Sequence, residues 1–570
     1  MQRLLFLICL VSCSAIMNAQ SYYYTSDHLI NDYLDRLEIK YGSEDFHSAL
    51  RQYTREGAVQ FFLESRNKAS YNESDFIAEY IINDNDDLFR EIDSTLVELT
   101  TINNGLFNTF YKTPGQLFSV NEDDFKLVAN PILHLGFGSE SSNDNIIFQN
   151  TRGFDIRGTV DDKMYFFTAI YENQANFNEY HLNLIEKFKS IPGQGLYKDY
   201  DSGIIDRLDG FDFLNAKAYL GFNISKSIAL ELGHNNHFIG NGYRSLLLSD
   251  YSNNYFYLKF LVNVWKFNYQ TIFAELAAVS SQFQPGGDNL IAKKYMATHY
   301  LSFKPSSKFE IGLFETVVFS RENQFELQYL NPLILYRTVE QFIGSPDNAM
   351  LGLNLKYNLS NKYQLYHQTL IDEFKFSEIT SGNGWWGNKL GFQFGVKAVD
   401  FMGVQNLDIQ AEYNVVRPYT YAHRDTLNIP TQFNVASYGH YLQPLAHPRG
   451  ANFKEFILTL NYQPTKKWIL NGRFLLSDYG EDLEGQNFGT NIFLPLESRE
   501  MDFGNFVGQG TNVNVSLLAF DLSYMLYHNI FVDAKVLYRT QESENTDFNV
   551  DTRYFGLGLR INAFNRNIDY

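Results

Sequence analysis

Apolar and polar side chains alternate along most of this sequence, from about residue 125 to residue 564. Between residues 407 and 414, for example, the odd positions are apolar and the even positions are polar. A period of two places the two kinds of side chain on opposite faces of a β-strand. Each alternating segment is also long enough for a tilted membrane strand, which needs about 9 to 11 residues. The pattern therefore predicts strands with one face toward lipid and one toward a polar interior.

We predict eighteen such strands, and an even number allows an antiparallel sheet to close into a barrel. They lie near residues 125–138, 146–160, 163–173, 212–223, 227–238, 254–263, 268–280, 293–304, 308–319, 350–359, 363–372, 388–400, 404–417, 452–463, 467–478, 511–526, 530–541 and 550–563. The predicted fold class is all-β, a transmembrane antiparallel β-barrel of about 18 strands in the cell outer membrane. A soluble propeller would also alternate, but it would repeat every 40 to 50 residues or so, and this sequence shows no such repeat.

The connections between the predicted strands alternate between short and long. The short ones are 161–162, 225–226, 305–307, 360–362, 464–466 and 528–529. Outer-membrane barrels place short turns in the periplasm and long loops outside the cell. We therefore expect residues 360–362 and 528–529 to face the periplasm, and Trp385 and the loop between Arg417 and Asn452 to face outside.

The first twenty residues have the form of a secretory signal peptide. Gln2 and Arg3 make a short basic start, an apolar stretch follows, and small residues lead to a cleavage site near Ala19. Both cysteines of the sequence, Cys9 and Cys13, lie in this segment, so we expect no disulfide and no cysteine metal site in the mature chain. The alternative is a lipoprotein signal, in which Cys13 becomes a lipidated N-terminus.

Residues 21–110 are predicted to form a small helical region in the periplasm. Ser26, Thr54 and Ser74 can each cap a helix, and apolar residues follow them at helical spacing. Three short helices make too small a core for an independent domain. We expect this region to pack against the barrel, residues 118–570, where it can close or plug the pore.

Charge and motifs argue against several functions. The formal net charge is −19, which speaks against nucleic acid as a partner, because phosphate binding needs clustered Lys and Arg. The sequence has no Gly-x-Ser-x-Gly, no His-Glu-x-x-His and no phosphate loop, so we expect no enzyme. Asp84, Asp86 and Asp87 resemble a calcium loop without its glycine and glutamate, and His440 and His447 have no carboxylates beside them. We predict no metal and no cofactor.

Residues 237–245 form the most distinctive local sequence, at the end of the fifth predicted strand. Gly240 and Gly242 suit a tight bend around Asn241, after which Tyr243 and Arg244 can reach into the lumen or toward a ligand. The simpler interpretation is a loop conformation that has no binding role.

Aromatic residues in other predicted outer loops complete the candidate site. Aromatic faces stack on sugar rings, and a guanidinium donates charge-assisted hydrogen bonds to acidic groups. An aromatic girdle at the membrane interface explains the tryptophans equally well. The candidate ligand-binding residues are Asn241, Tyr243, Arg244, Trp385, Trp386, Tyr419 and Tyr421.

Three features resemble the Wzi-like family of capsule-assembly outer-membrane barrels: the helical N-terminal region, the segment 240–248 (GNGYRSLLL) and the segment 447–452 (HPRGAN). Within that family the resemblance is greatest to gliding-motility barrels of the Bacteroidota. It implies a non-enzymatic outer-membrane barrel with periplasmic helices, which supports gliding motility or attaches surface polysaccharide. The implied partners are outer-membrane lipid, exopolysaccharide and components of the gliding machinery. The alternative function is a porin-like channel for solutes.

Overall fold

A computed structural model describes most of the chain. The described residues are 29–92, 111, 113–141, 143–161, 163–203, 207–279, 291–321, 325–332, 335–344, 347–424, 435–564 and 569–570. The predicted signal peptide and the predicted cap at Ser26 lie outside them. In the described part, long strands form a barrel, and short helices lie at its two ends.

The barrel is one antiparallel sheet of 18 long strands. The strands are β1 (Phe125–Glu140), β2 (Asn143–Val160), β3 (Met164–Ala175), β4 (Asp209–Ser225), β5 (Ile228–Asn235), β6 (Tyr255–Val264), β7 (Phe267–Ala277), β8 (Lys293–Ser306), β9 (Phe309–Phe319), β10 (Asn348–Asn358), β11 (Tyr363–Glu373), β12 (Lys389–Ala398), β13 (Leu407–Val416), β14 (Phe453–Thr465), β15 (Trp468–Glu481), β16 (Thr511–Tyr527), β17 (Ile530–Ser543) and β18 (Val550–Ile561). Each pairs with the next along the chain, and β18 pairs with β1 from Ile561 with Leu133 to Tyr554 with Glu140. The predicted eighteen-stranded barrel is confirmed.

Side chains alternate between the outer and inner faces of the wall. On β10, Leu351 on the outer face is 44% exposed, whereas Asn354 and Lys356 on the inner face are buried. This pattern gives a surface suited to lipid around a polar interior, as in outer-membrane barrels. Exposed large apolar side chains on the strands include Phe137, Phe154, Leu214, Phe256, Leu313, Phe394, Leu518 and Leu557.

Four helices close the end of the barrel at which the connections between strands are short. They are α1 (Leu29–Tyr41), α2 (Arg55–Arg66), α3 (Asp75–Asp84) and α4 (Asp86–Ile92). The hydroxyl of Thr54 caps α2 by accepting a hydrogen bond from the Gly57 N–H at 3.1 Å. The apolar faces of the helices form one cluster together with Ile469, Met525 and Phe531 of the wall. The helices therefore lie in the mouth of the barrel.

Buried ion pairs join α1 to the wall. Glu38 Oε1 accepts hydrogen bonds from Lys304 Nζ at 2.9 Å and from Lys356 Nζ at 2.5 Å. All three side chains are 1% exposed. Burial disfavours the Glu38 carboxylate, but the two lysines outweigh burial and hold its pKa below the usual range. Arg36 adds contacts to Asp408 at 2.6 Å and to Asp400.

Long connections join the strands at the opposite end, which we call the outer end. They carry the helices α5 (Glu179–Phe188), α6 (Tyr336–Ile343) and α7 (Phe376–Ser381). The connection between β1 and β2 is the exception, since only two residues separate these strands at the outer end. In the described part of the chain, no helix is long and apolar enough to cross a membrane.

The connection between β9 and β10 folds back over the outer face of the barrel. Tyr336 and Val339 of α6 pack on outward-facing residues of β8 and β9. The ring of Tyr336 lies 4.0 Å from that of His299, and the Arg337 N–H donates to Glu315 Oε1 at 3.2 Å. On the far side of the helix, Phe342 is 78% exposed. We call the described residues of this segment, 325–332 and 335–343, the external flap.

Candidate functional site

The connection between β5 and β6 folds into the lumen instead of extending outward. Leu246, Leu247 and Leu248 are fully buried and belong to a cluster with inward-facing side chains of β8 to β11. A Cβ added at Gly352 of β10 would lie 2.5 Å from Leu247 Cδ2, so this glycine makes room for the leucine. The run of three leucines in the sequence is therefore the apolar anchor of an inward loop. We call residues 236–254 the inward loop.

Polar groups of the wall hold the bend of the inward loop. Gly240 has a φ of +150° and donates its N–H to the Ala49 carbonyl at 2.7 Å. Glu412 of β13 accepts the N–H groups of Tyr243 at 2.7 Å and Arg244 at 3.1 Å. Asn241 Nδ2 donates to Ser48 Oγ at 3.1 Å. Through these bonds the loop contacts both the wall and the segment that joins α1 to α2.

The side chains of Tyr243 and Arg244 converge on one carboxylate. Arg244 Nη2 donates to Asp569 Oδ1 at 2.8 Å. Arg473 Nη1 of β15 donates to Asp569 Oδ2 at 3.2 Å, and the Tyr243 hydroxyl donates to the same oxygen. Burial disfavours the charged form of Asp569, but Arg244 and Arg473 outweigh burial and lower its pKa. An ionised carboxylate therefore lies between two guanidinium groups inside the lumen. We call Tyr243, Arg244, Arg473 and Asp569 the luminal cluster.

A cavity of about 440 Å³ opens beside this cluster. It extends from Leu29 and Tyr80 at the helical end to Gly193 and Tyr251 near the outer loops. Its volume is within the range of about 300 to 1,000 Å³ that is usual for ligand pockets. The charged side chains that line it are Asp32, Asp35, Arg51, Lys217, Arg244, Asp250, Arg473, Asp521 and Arg560.

The four aromatic candidates of the outer loops lie in two separate places. Tyr419 and Tyr421 are buried, and the Tyr421 hydroxyl donates to the Leu246 carbonyl at 2.8 Å. Their rings therefore help to close the outer end above the inward loop. Trp385 and Trp386 are partly exposed, with ring centroids 5.9 Å apart.

Cationic side chains flank the two tryptophans. The Arg499 guanidinium lies 4.5 Å from the Trp386 ring centroid, and Lys375 Nζ lies 5.8 Å from that of Trp385. Arg499 is partly exposed and Lys375 is exposed. Arg499 also pairs with Asp502 at 2.6 Å and Lys375 with Glu378 at 2.8 Å. A partly exposed aromatic pair can stack on a sugar ring, and an acidic substituent would compete with these carboxylates for the cations. We call these four residues the outer aromatic patch.

The candidate residues thus occupy three places: Asn241, Tyr243 and Arg244 in the lumen, Tyr419 and Tyr421 in the packed closure, and Trp385 and Trp386 in the outer aromatic patch. That these residues bind a ligand stays a prediction.

The described parts of the loop between β13 and β14, residues 417–424 and 435–452, are folded inward, and their histidines are buried. His447 Nε2 and Glu455 Oε2 are 2.6 Å apart. His440 Nδ1 accepts the Ala277 N–H at 2.8 Å, and burial lowers the pKa of His440 to about 3. Among the residues that the structure describes, no group of three His, Cys, Asp or Glu side chains could hold a metal ion.

Sequence reasoning missed the partners of the luminal cluster. Asp569 and Arg244 are 325 positions apart in the sequence. Arg473 lies on β15, which is also distant from the inward loop in the sequence. One signal was available for Glu412, because the alternation between residues 407 and 414 puts it on the polar face.

Comparisons with known proteins give a structural match and no sequence match. No protein-family model matches the chain, and no curated protein matches it. The solved structure of Wzi from Escherichia coli matches with a TM-score of 0.56 and 12% identity, over 96% of this chain and 100% of that chain. Its authors describe Wzi as an outer membrane protein involved in group 1 capsule assembly and as a carbohydrate binding β-barrel.

Two porin structures match less well. OprD from Pseudomonas aeruginosa has a TM-score of 0.39 and 9% identity, over 77% of this chain and 94% of that chain. OccAB1 from Acinetobacter baumannii has a TM-score of 0.40 and 8% identity, over 76% and 96% of the two chains. At these identities the matches concern the fold. With its 18 strands and apolar outer face, the protein is an outer-membrane β-barrel of the same architecture as Wzi.

Proposed function

We propose that this protein is a non-enzymatic outer-membrane barrel that binds surface polysaccharide. The observation that carries the proposal is the closure of the lumen at both ends, by helices at one end and by packed loops at the other. A barrel closed in this way is suited to holding a ligand rather than to passing a flow of solutes. The carbohydrate binding described for Wzi, which has the same fold, supports the proposal.

The outer aromatic patch is the proposed contact surface for the polysaccharide. Trp385 and Trp386 offer aromatic faces, and Arg499 and Lys375 offer cations beside them. Stacking and charge-assisted hydrogen bonds together contribute on the order of a few kcal/mol. Arg244 and Tyr243 lie deeper, in the lumen, where their backbone is bound by Glu412.

The test replaces both tryptophans, Trp385→Ala with Trp386→Ala, and measures the polysaccharide retained by whole cells. We expect retention to fall while the amount of folded barrel, measured by its heat-dependent gel mobility, stays unchanged. Trp265→Ala is the matched control, because Trp265 is 71% exposed in the turn between β6 and β7 at the opposite end. Equal retention by the double variant and the wild type would show that the patch is not the binding surface.

A finer proposal concerns gliding motility. It rests on the resemblance of the sequence to RemB, the gliding-motility protein of the Bacteroidota, and names components of the gliding machinery as partners. A deletion strain scored for both colony spreading and capsule retention separates the two roles. Loss of spreading with normal retention supports motility, and the reverse result supports polysaccharide attachment alone.

A porin-like channel is the second candidate function, and the polar cavity beside Arg473 favours it. The cavity extends over much of the distance between the two closures. Planar bilayers separate the candidates, because a porin gives steady open steps of conductance and a closed barrel gives none. We expect no steady conductance from the wild-type protein.

A further inference from the structure

The luminal cluster has the chemistry of a carboxylate-binding site. Two guanidinium groups and a phenol donate to the two oxygens of Asp569, with the Arg244 and Arg473 bonds at 2.8 and 3.2 Å. The Nε atoms of Arg244 and Arg473 are buried and make no hydrogen bond within the described residues, although Arg244 Nε lies 3.6 Å from Glu455 Oε2. The cluster therefore keeps donor capacity beyond what Asp569 uses.

Asp569 does not belong to the wall that carries its partners. Arg473 is held in β15 by its strand and by a bond from Nη2 to Asp521 Oδ2 at 2.9 Å. Arg244 is held by the inward loop, whose backbone is fixed by Glu412. Asp569 comes from the segment after β18, and Tyr570 beside it packs edge-on against Tyr251 at 4.8 Å between ring centroids. The donors are therefore fixed by the barrel, and the acceptor is brought to them by a separate segment.

The surroundings of the cluster suit a sugar that carries an acid group. The adjoining cavity of about 440 Å³ is lined by Asn461 and Asn471, whose amides can donate to and accept from sugar hydroxyls. Tyr171 and Tyr251 also line the cavity and offer aromatic surface. The rest of the lining carries charges of both signs: the cations Arg51, Lys217 and Arg560, and the carboxylates Asp32, Asp35, Asp250 and Asp521. Amides, aromatic rings and a carboxylate site together match a uronic acid better than a neutral sugar.

We propose that Arg244, Arg473 and Tyr243 form a binding site for the carboxylate of a uronic acid, and that Asp569 occupies this site when no ligand is bound. The inference rests on the proposed binding of polysaccharide and assigns the luminal cavity to an acidic unit of it. Binding exchanges one carboxylate for another, so the two arginines stay paired throughout. The exchange releases Tyr570 from Tyr251.

The test measures binding of trigalacturonate to the purified, detergent-solubilised protein by titration calorimetry. Asp569→Asn removes the competing charge, and we expect it to bind trigalacturonate about tenfold more tightly than the wild type, about the effect of one charge-assisted hydrogen bond. Arg473→Gln should bind it at least tenfold more weakly. Asp547→Asn is the matched control, because Asp547 lies exposed in the turn before β18. Maltotriose and acetate in place of trigalacturonate show whether both the acid group and the sugar are needed.

A second measurement leaves the cluster intact. A spin label on Tyr570→Cys should become more mobile when trigalacturonate is added and should not respond to maltotriose. Equal affinity of Asp569→Asn and wild type for trigalacturonate, or an immobile label at saturation, would overturn the luminal site. If trigalacturonate still binds in that case and the tryptophan variant loses it, polysaccharide binding stands without the luminal site. If neither the wild type nor any variant binds trigalacturonate or maltotriose, and cells that lack the protein retain their polysaccharide, both proposals are wrong.

Discussion

At the helical end of the barrel, charges hold the closing element in place, with the Glu38 carboxylate between Lys304 and Lys356. At the outer end, apolar packing anchors the inward loop in addition to its bonds with Glu412, and Leu247 is fully buried among wall residues. A buried ion pair gives little net stability, but removing one partner leaves an unpaired charge that is costly to bury. When a buried apolar side chain is truncated, the loss of stability grows with the volume of the cavity that is left. The two ends should therefore respond differently to single substitutions.

The largest effect is expected from Glu38→Gln at the helical end. Lys304 loses its carboxylate partner and Lys356 keeps only Glu310, 2.6 Å away, and breaking a buried pair in this way costs about 3 to 5 kcal/mol. Urea unfolding in detergent measures the loss, and planar bilayers should show intermittent conductance as the helices open. Glu44→Gln is the control, because the Glu44 side chain is 62% exposed. An unchanged unfolding midpoint would mean that the ion pairs do not hold the helices in place.

Leu247→Ala tests the outer end in the same assay. Removing this buried side chain leaves a cavity and should cost about 3 kcal/mol. Hydrogen exchange should rise in the inward loop and in residues 417–424, while α1 keeps its protection. Leu327→Ala, at a position that is 72% exposed in the external flap, should have no measurable effect. Opening of both ends by Leu247→Ala would show that the two closures form one cooperative unit.

Acid should weaken both ends, because each holds a buried neutral histidine. Burial lowers the pKa of His47 to about 4 and that of His440 to about 3. Protonation then favours the unfolded state, so each contribution is complete above the unfolded pKa of about 6.5 and declines as the pH falls toward the folded value. Between pH 6.5 and 5 the loss is about 2 kcal/mol for each histidine.

His440→Asn removes one of the two titrations. In this variant the stability of the outer end should decline less steeply as the pH falls, while that of the helical end should decline as in the wild type. The Glu38 carboxylate acts in a lower range. Its folded pKa is below the usual value, so its contribution is lost only as the pH falls below about 4.5. An equally steep decline in His440→Asn and the wild type would argue that His440 does not titrate as its burial predicts.

The smallest effect is expected from Lys466→Ala. Lys466 Nζ lies 2.5 Å from Glu79 Oε1 and ties α3 to the turn between β14 and β15, but the two side chains are 46% and 25% exposed. An ion pair that water reaches contributes less than about 1 kcal/mol. A change in unfolding free energy as large as that of Glu38→Gln would contradict the distinction between buried and exposed pairs at this end.

Strand positions could be predicted from the sequence because they follow from local alternation, as the residues around Leu407 show. The inward direction of the inward loop could not be predicted, because it depends on contacts with strands that are distant in the sequence. The sequence 240–248 suggested a rim bend, whereas the three leucines and Glu412 draw it into the lumen. The pairing of Arg244 with Asp569 joins positions 325 residues apart, and no local pattern records such a contact.

The helical region shows the same limit. Its helices were predictable from apolar spacing and from caps such as Thr54, which the structure confirms. The ion pairs of Glu38 were not, because Lys304 and Lys356 lie on strands 266 and 318 residues away. The alternation predicts that both lysines lie on inward faces of the wall, but it does not predict that α1 contacts them.

The external flap changes the surface that this protein presents to the surrounding lipid. His299 and Glu315 point outward from the wall, where hydrocarbon would be a poor solvent for either side chain. The flap covers both, and it presents Phe342 and Leu335 to the exterior in their place. Around β8 and β9 the perimeter is therefore widened by about one helix diameter, roughly 10 Å. The outline of the barrel is therefore not circular, and in this sector a helix lies between the wall and its surroundings.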